Sequence, residues 1–149
     1  MTAIQWLVAT TIAAFAAIIA YFQWRTAHQR VILDLFDRRN AVYLDLRNGA
    51  SAILRAGKGT PDVETQLIRA VETARFYFGE DVVMQLDEFL SAAIHLGQYS
   101  SEIEGAQGDE RRVLIEKRRA AFDKVEEFFK NAPRLVAPYM RLDQKMPKL

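Results

Sequence analysis

The sequence contains no cysteine and two histidines, and its first 24 residues carry no charged side chain. The absence of cysteine excludes a disulfide scaffold, a thiolate metal site and a cysteine nucleophile. Two histidines argue against a multi-histidine metal site. Half of the 149 residues are hydrophobic and 26% are charged, which is typical of a folded protein and too apolar for a disordered one.

The N-terminal run from Ile4 to Trp24 is apolar and 21 residues long. A helix of this length rises by about 30 Å, which matches the hydrocarbon core of a bilayer. Aromatic side chains mark both ends of the run, as they do at both interfaces of a membrane helix. We therefore predict a transmembrane helix over residues 1–24. The expected membrane-interface residues are Trp6, Tyr21, Trp24 and Arg25.

A cleaved signal peptide is the main alternative for this run, and a buried globular helix is a second one. No lysine or arginine precedes the run, and bulky residues close it where a cleavage site needs small ones. Arginines begin directly after the run, at Arg25 and Arg30. The positive-inside rule therefore predicts that the N-terminus lies outside and the remainder in the cytoplasm.

Alanines follow a four-residue spacing within the predicted span, at Ala9, Ala13 and Ala17. Small residues at this spacing let helix backbones approach closely in lipid. We expect this stripe to pack against another membrane helix. The alternative is that alanine is simply common in membrane helices.

Helical periodicity dominates residues 25–149, and strand signals are nearly absent. The first helix continues from the predicted span to about Ala56. The second begins at Thr60 and Pro61, a capping residue followed by a first-turn proline, and Gly79 is expected to stop it. The third helix begins at Glu80. The fourth begins near Asp109, and Pro133 is expected to stop it.

Apolar side chains recur at intervals of three and four residues in each of these helices. The expected core positions of the first two helices are Ile32, Leu35, Phe36, Val42, Tyr43, Leu46, Ala50, Ile53, Val63, Leu67, Val71, Ala74 and Phe78. Those of the last two are Val82, Val83, Leu86, Leu90, Ala93, Ile94, Gly97, Leu114, Ala121, Phe122, Val125, Phe128 and Phe129. Four helices with short connections favour an antiparallel arrangement. The predicted fold is all-α, with a transmembrane helix (1–24) followed by an antiparallel four-helix-bundle-like cytoplasmic domain (25–149).

Charge is segregated along the chain. Residues 25–59 carry seven basic and three acidic groups, residues 60–110 carry two and eleven, and residues 111–149 carry eleven and five. We interpret this pattern as charge complementarity between helices, with an acidic docking face as the alternative. The basic residues near the start of the fourth helix are interpreted as a solvated face, with lipid or nucleic acid contact as alternatives. They are Arg111, Arg112, Lys117, Arg118 and Arg119.

Three segments resemble known sequence motifs: LDLFDRRNAVY (Leu33–Tyr43), FYFGEDV (Phe76–Val82) and APYMRL (Ala137–Leu142). Together with the N-terminal run they resemble a widespread group of bacterial single-pass inner-membrane proteins, and the resemblance extends over nearly the whole chain. It implies a bacterial source and a helical body, and it implies no activity.

Within the first motif, Arg39 falls on the apolar stripe of its helix. A buried arginine needs a partner, because leaving it unpaired costs several kcal/mol. We predict a structural ion pair between Arg39 and a carboxylate, with Glu72 as the expected partner. In FYFGEDV we expect the aromatic residues to pack, the glycine to turn the chain and the acidic residues to cap the next helix.

No set of side chains in the sequence converges on a catalytic pattern. We therefore predict a non-enzymatic, membrane-anchored helical scaffold or accessory subunit of a membrane protein complex, without cofactor or metal. Expected partners are a membrane protein and membrane lipids, with no nucleic acid. The alternatives are a self-associating homo-oligomer, pairing through its long first helix, and a lipid-binding or sensor module.

Overall fold

The computed structural model describes residues 3–141, except for the side chains of Ala3, Ile4, Ala9 and Gln29. In this range the chain forms four α-helices and one short 3-10 helix, with no strand. The helices are α1 (Ala3–Ala56), α2 (Pro61–Ala74), α3 (Glu80–Gly105) and α4 (Gly108–Val136), and the 3-10 helix is Ala137–Tyr139. The predicted all-helical class and the four helices are confirmed.

The residues of the chain fall into two compact units, and the division lies inside α1, between Leu35 and Phe36. This division comes later in the chain than the charge boundary after residue 24. The first unit consists of the N-terminal part of α1. The second unit contains the rest of α1 together with α2, α3 and α4.

The first unit is a helix that is long and apolar enough to cross a membrane. Most of its described side chains are exposed, including those of Leu7, Ile12 and Phe15. The polar hydroxyls of Thr10 and Thr11 each donate to the backbone carbonyl four residues earlier, at 2.8 Å. Because these hydroxyls are satisfied within the helix, they add little to the cost of placing it in an apolar medium.

The second unit is built around one apolar core to which all four helices contribute. Buried side chains recur every three or four residues, as an amphipathic helix requires. The largest fully buried side chains are Leu46, Ile53, Leu67, Leu86, Leu96, Val71, Val82 and Val125. Burying each of these contributes roughly 1.5–3 kcal/mol relative to leaving it exposed. The predicted core positions are buried or half-buried except for Ile94, which is exposed. On α3 the structure also buries Phe89, Ala92 and Leu96, which the sequence analysis did not place in the core.

Close contacts between helices position this core. The rings of Phe89 on α3 and Phe128 on α4 stack with their centroids 4.0 Å apart. At Gly49 on α1, an added Cβ would collide with the side chain of Leu67 on α2. The lack of a side chain at Gly49 therefore allows α1 and α2 to approach closely.

Two predicted helix ends are wrong. Helix α4 continues past Pro133 to Val136. The proline lacks one backbone donor, but it lies in the last turn, and burial of Ala132 and Val136 holds the helix together on both sides. Helix α2 ends at Ala74, before Gly79, because turns already begin at Arg75.

Candidate functional site

The predicted interface aromatics lie on the exposed surface of the first unit. Trp6, Tyr21 and Trp24 are each more than half exposed, and Arg25 is exposed as well. At the charged end the aromatic rings associate: the ring centroids of Tyr21 and Trp24 lie 6.3 Å apart, and Trp24 stacks on His28 at 5.7 Å. This arrangement gives one end of the apolar helix a belt of amphipathic rings, of the kind that sits at the headgroup level.

The alanine stripe lies on the same helix. The methyl groups of Ala13 and Ala17 are exposed, while the side chain of Ala9 lies outside the described residues. Exposed small side chains leave the backbone accessible to a neighbouring helix. The stripe is therefore available for packing in the way the sequence predicts.

Arg39 is half-buried in the second unit and donates to backbone carbonyls. Its Nε lies 2.9 Å from the carbonyl oxygen of Tyr77, and its Nη1 lies 2.8 Å from that of Tyr139. The guanidinium carbon also lies 5.5 Å from the centre of the Tyr139 ring. Burial lowers the pKa of Arg39 from its ordinary value, and the proximity of Tyr139 acts in the opposite direction.

The structure assigns Glu72 a different partner from the one the sequence suggested. Its Oε1 lies 3.5 Å from Nε of Arg75, one turn further along, and both side chains are largely exposed. Arg75 in turn binds Asp87 at 2.7 Å. Glu72 therefore belongs to a surface ion-pair network, since α2 directs it to solvent. Arg39 therefore does not pair with Glu72, and the carbonyls of Tyr77 and Tyr139 accept hydrogen bonds from it.

A second interaction connects the 3-10 helix to the start of α3. The hydroxyl of Tyr139 donates to Oδ1 of Asp81 at 2.6 Å, and its ring packs edge-on against Phe78, with centroids 5.6 Å apart. The hydrogen bond to Asp81 raises the pKa of Tyr139, and burial adds to this shift. An added Cβ at Gly79 would collide with the Tyr139 hydroxyl, so the glycine is needed for close approach.

These contacts bring together residues from all three motif segments. Arg39 belongs to LDLFDRRNAVY, Tyr77 and Asp81 to FYFGEDV, and Tyr139 to APYMRL, whose last residue lies outside the described range. We call Arg39, Tyr77, Asp81 and Tyr139 the Arg39 cluster. It connects α1, the α2–α3 turn, the start of α3 and the 3-10 helix. We interpret it as a set of structural contacts between these elements.

Sequence reasoning missed the Tyr139–Asp81 bond and misjudged Phe76. Asp81 was expected to cap α3, but the cap residue is Gly79 and no side chain bonds to that helix start. Phe76 was expected to pack, but it is 84% exposed. The motif pattern was the available signal, since Tyr139 directly after Pro138 and Asp81 two residues after Gly79 belong to separate motif segments that meet in the fold.

The histidine of α3 makes local contacts. His95 stacks on Tyr99 with ring centroids 5.7 Å apart, and Ser91 Oγ lies 3.4 Å from its Nδ1. Among the residues that the structure describes, no three histidine, aspartate or glutamate side chains are grouped as metal ligands. No protein-family model, curated protein or solved structure matches this chain.

Proposed function

We propose that this protein is a non-enzymatic accessory subunit or scaffold that anchors a helical body to the bacterial inner membrane. The N-terminal part of α1 is the single transmembrane span, with its N-terminus outside, and the second unit lies in the cytoplasm. The span contacts a membrane helix of a partner protein and the surrounding lipid. The body contacts a cytoplasmic part of the same complex.

One observation carries this proposal: an uncharged helix whose large apolar side chains are exposed from Trp6 to Trp24. Such a continuous apolar surface is unfavourable in water and favourable in a bilayer. The aromatic rings near Trp24 and the first arginine after them support an interface at that end. The charge order supports a cytoplasmic body, because the basic residues follow the span.

For the body we propose an antiparallel four-helix arrangement. The contacts that support it are the stacking of Phe89 on Phe128 and the close approach of Gly49 to Leu67. The helices are also joined by short connections, which favour antiparallel neighbours. A body of this kind presents long, solvated helix faces and suits a protein that binds other proteins.

The proposal is tested by purifying the tagged full-length protein in mild detergent and identifying what co-purifies. We expect a membrane protein in a fixed stoichiometric ratio. Replacing Ala13 and Ala17 by leucine should abolish the association, because the larger side chains block close helix approach. Ala14→Leu is the matched control, since residue 14 lies off the stripe, and it should leave the complex intact.

Recovery of the wild-type protein without any stoichiometric partner would contradict the accessory-subunit proposal. Recovery without another protein, at a multiple of 17.0 kDa that the alanine variants reduce to the monomer, would instead favour self-association through the first helix. Loss of the partner in the Ala14→Leu control as well would show that leucine disturbs the span itself, and the alanine stripe would then not be the contact surface.

A further inference from the structure

Helices α3 and α4 extend past the turn that joins α1 to α2. At that turn, Nη2 of Arg118 on α4 lies 3.4 Å from the carbonyl oxygen of Gly57. A Cβ added to Gly59 would lie 3.6 Å from the Cα of Gly97 on α3. The α1–α2 turn therefore lies beside Gly97 and Arg118. The residues between Gly97 and Arg118 extend beyond this turn. We call residues 98–119 the α3–α4 tip.

The tip is covered poorly by the rest of the unit. Residues 98–105 of α3 alone account for about 12 Å of helix. The buried residues of the tip are Ala106 and Leu114, and neither belongs to the core that joins the four helices. Val113 and Ile115 are each nearly half exposed. Two helices without a third layer leave apolar side chains in contact with water.

Charges on the tip are balanced in number, and four of the five acidic residues precede the basic residues along the chain. The tip carries five acidic and five basic residues. On α3 the charges are the acids Glu102 and Glu104, while all the basic residues lie on α4, after the acidic residues of its first turn. The single ion pair among these residues joins Arg112 and Asp109 at 3.8 Å, with both side chains at least 79% exposed.

Several of these charges have no ionic partner in the described part of the chain. Arg111, Lys117 and Arg119 on α4 form no ion pair there, and neither does Glu104 on α3. The tip therefore exposes acidic side chains on α3 and basic side chains on α4, with the apolar Val113 and Ile115 among the basic ones. A surface that places basic residues opposite the acids, and acids opposite the basic residues, would complement it.

We propose that the α3–α4 tip is an interface between two copies of this chain. The acidic end of α3 in one copy lies against the basic part of α4 in the other. A two-fold axis generates the same contact between α4 of the first copy and α3 of the second. A surface with balanced and separated charges complements itself, whereas a purely acidic or purely basic partner would leave one set of charges uncompensated. The contact covers Val113 and Ile115.

This interface is separate from the membrane span and does not rest on the accessory-subunit proposal. It lies at the end of the second unit opposite to the Arg39 cluster, because α3 runs from Glu80 beside that cluster to Gly105 at the tip. It also differs from pairing through the long first helix. A dimer joined at the tip leaves the exposed surface of the span available for another protein.

The test measures the molar mass of the full-length protein in mild detergent over a range of concentrations. We expect the wild type to contribute two copies of the 17.0 kDa chain to each particle, whether or not another protein is bound. The double variant Arg111→Glu/Lys117→Glu should weaken the dimer about tenfold or more, because like charges then face each other. Adding Glu102→Lys/Glu104→Lys to that variant should restore the dimer, because the charge order is reversed on both sides.

The matched control is Arg69→Glu/Arg134→Glu, which changes the net charge equally at exposed residues outside the tip. It should leave the dimer unchanged. A monomeric wild type would overturn the proposal, and so would a swapped variant that stays monomeric while retaining its helicity by circular dichroism. Equal weakening by the control would overturn it too, because net charge rather than the tip would then govern association.

Cross-linking provides an independent measurement, because the cysteine-free chain gives no background. Val113→Cys on the tip should be joined between copies by a bis-maleimide reagent. Phe76→Cys is the control, since it is exposed at the opposite end of the unit. Equal yields from both positions would refute an interface located at the tip.

Discussion

The hydrogen bond between Tyr139 and Asp81 can be tested by removing the hydroxyl alone. Tyr139→Phe keeps the ring that packs on Phe78 and lies beside the Arg39 guanidinium, and it deletes the donor to Asp81. A hydrogen bond to a charged acceptor contributes about 1.5–3 kcal/mol. Because both side chains are partly accessible to water, we expect a smaller contribution, about 1–1.5 kcal/mol.

The assay is thermal unfolding of the full-length protein in detergent micelles, followed by circular dichroism. A loss of about 1 kcal/mol should lower Tm by roughly 3–5 °C for a unit of this size. Asp81→Asn should cost a similar amount. The double variant should cost clearly less than the sum of the two single changes, because both remove the same contact.

Tyr99→Phe is the matched control for this prediction. The Tyr99 ring stacks on His95, and its hydroxyl makes no hydrogen bond within the described residues. Its removal should change Tm by less than about 1 °C, as for an ordinary surface substitution. The reasoning is refuted if Tyr139→Phe behaves like Tyr99→Phe, or if the effects of Tyr139→Phe and Asp81→Asn are additive.

Three further predictions concern packing and pH. Gly49→Ala should destabilise the protein by about 1–3 kcal/mol because its methyl group collides with Leu67. Gly105→Ala, with open space around it, should be neutral or stabilising by up to about 1 kcal/mol. Equal effects of the two variants in chemical unfolding would contradict this prediction. Leu86→Ala should cost about 2–5 kcal/mol and the exposed Ile68→Ala less than about 1 kcal/mol, so comparable losses would show that the assigned core is wrong. The pKa of Tyr139 is raised above 10.0 in the folded state, so the stabilisation from its hydrogen bond to Asp81 is fully present below pH 10 and is lost as pH rises through the higher folded value. The tyrosinate absorbance difference between wild type and Tyr139→Phe should show this late titration. A Tyr139 that ionises at or below pH 10.0 would contradict the prediction.

Local chemistry was enough to predict most helix positions and the core. Pro61 and Glu80 mark the starts of α2 and α3 because each suits a first helical turn. The apolar periodicity predicted the buried stripe of α1 because one face of a helix must meet the other helices. These features depend on neighbouring residues, so they can be read from a single sequence.

The features that the sequence did not predict depend on residues far apart in the chain. Glu72 was the expected partner of Arg39, but Glu72 pairs with Arg75, and Arg39 donates to backbone carbonyls, including one a hundred residues away. Pro133 was expected to end α4, and tertiary burial of Val136 overrides that local preference. Gly79 was interpreted as a helix stop, whereas the nearby Tyr139 hydroxyl explains why no side chain fits there.

The central proposal, a membrane-anchored protein with a cytoplasmic body, is tested most directly by single-cysteine labelling. Thr65→Cys places one thiol on the exposed surface of the second unit, outside the α3–α4 tip, in an otherwise cysteine-free chain. We predict that the protein stays in the membrane pellet after an alkaline carbonate wash. A membrane-impermeant maleimide should label it only after the cells are opened. Release by carbonate, or labelling in intact cells, would contradict the proposed topology.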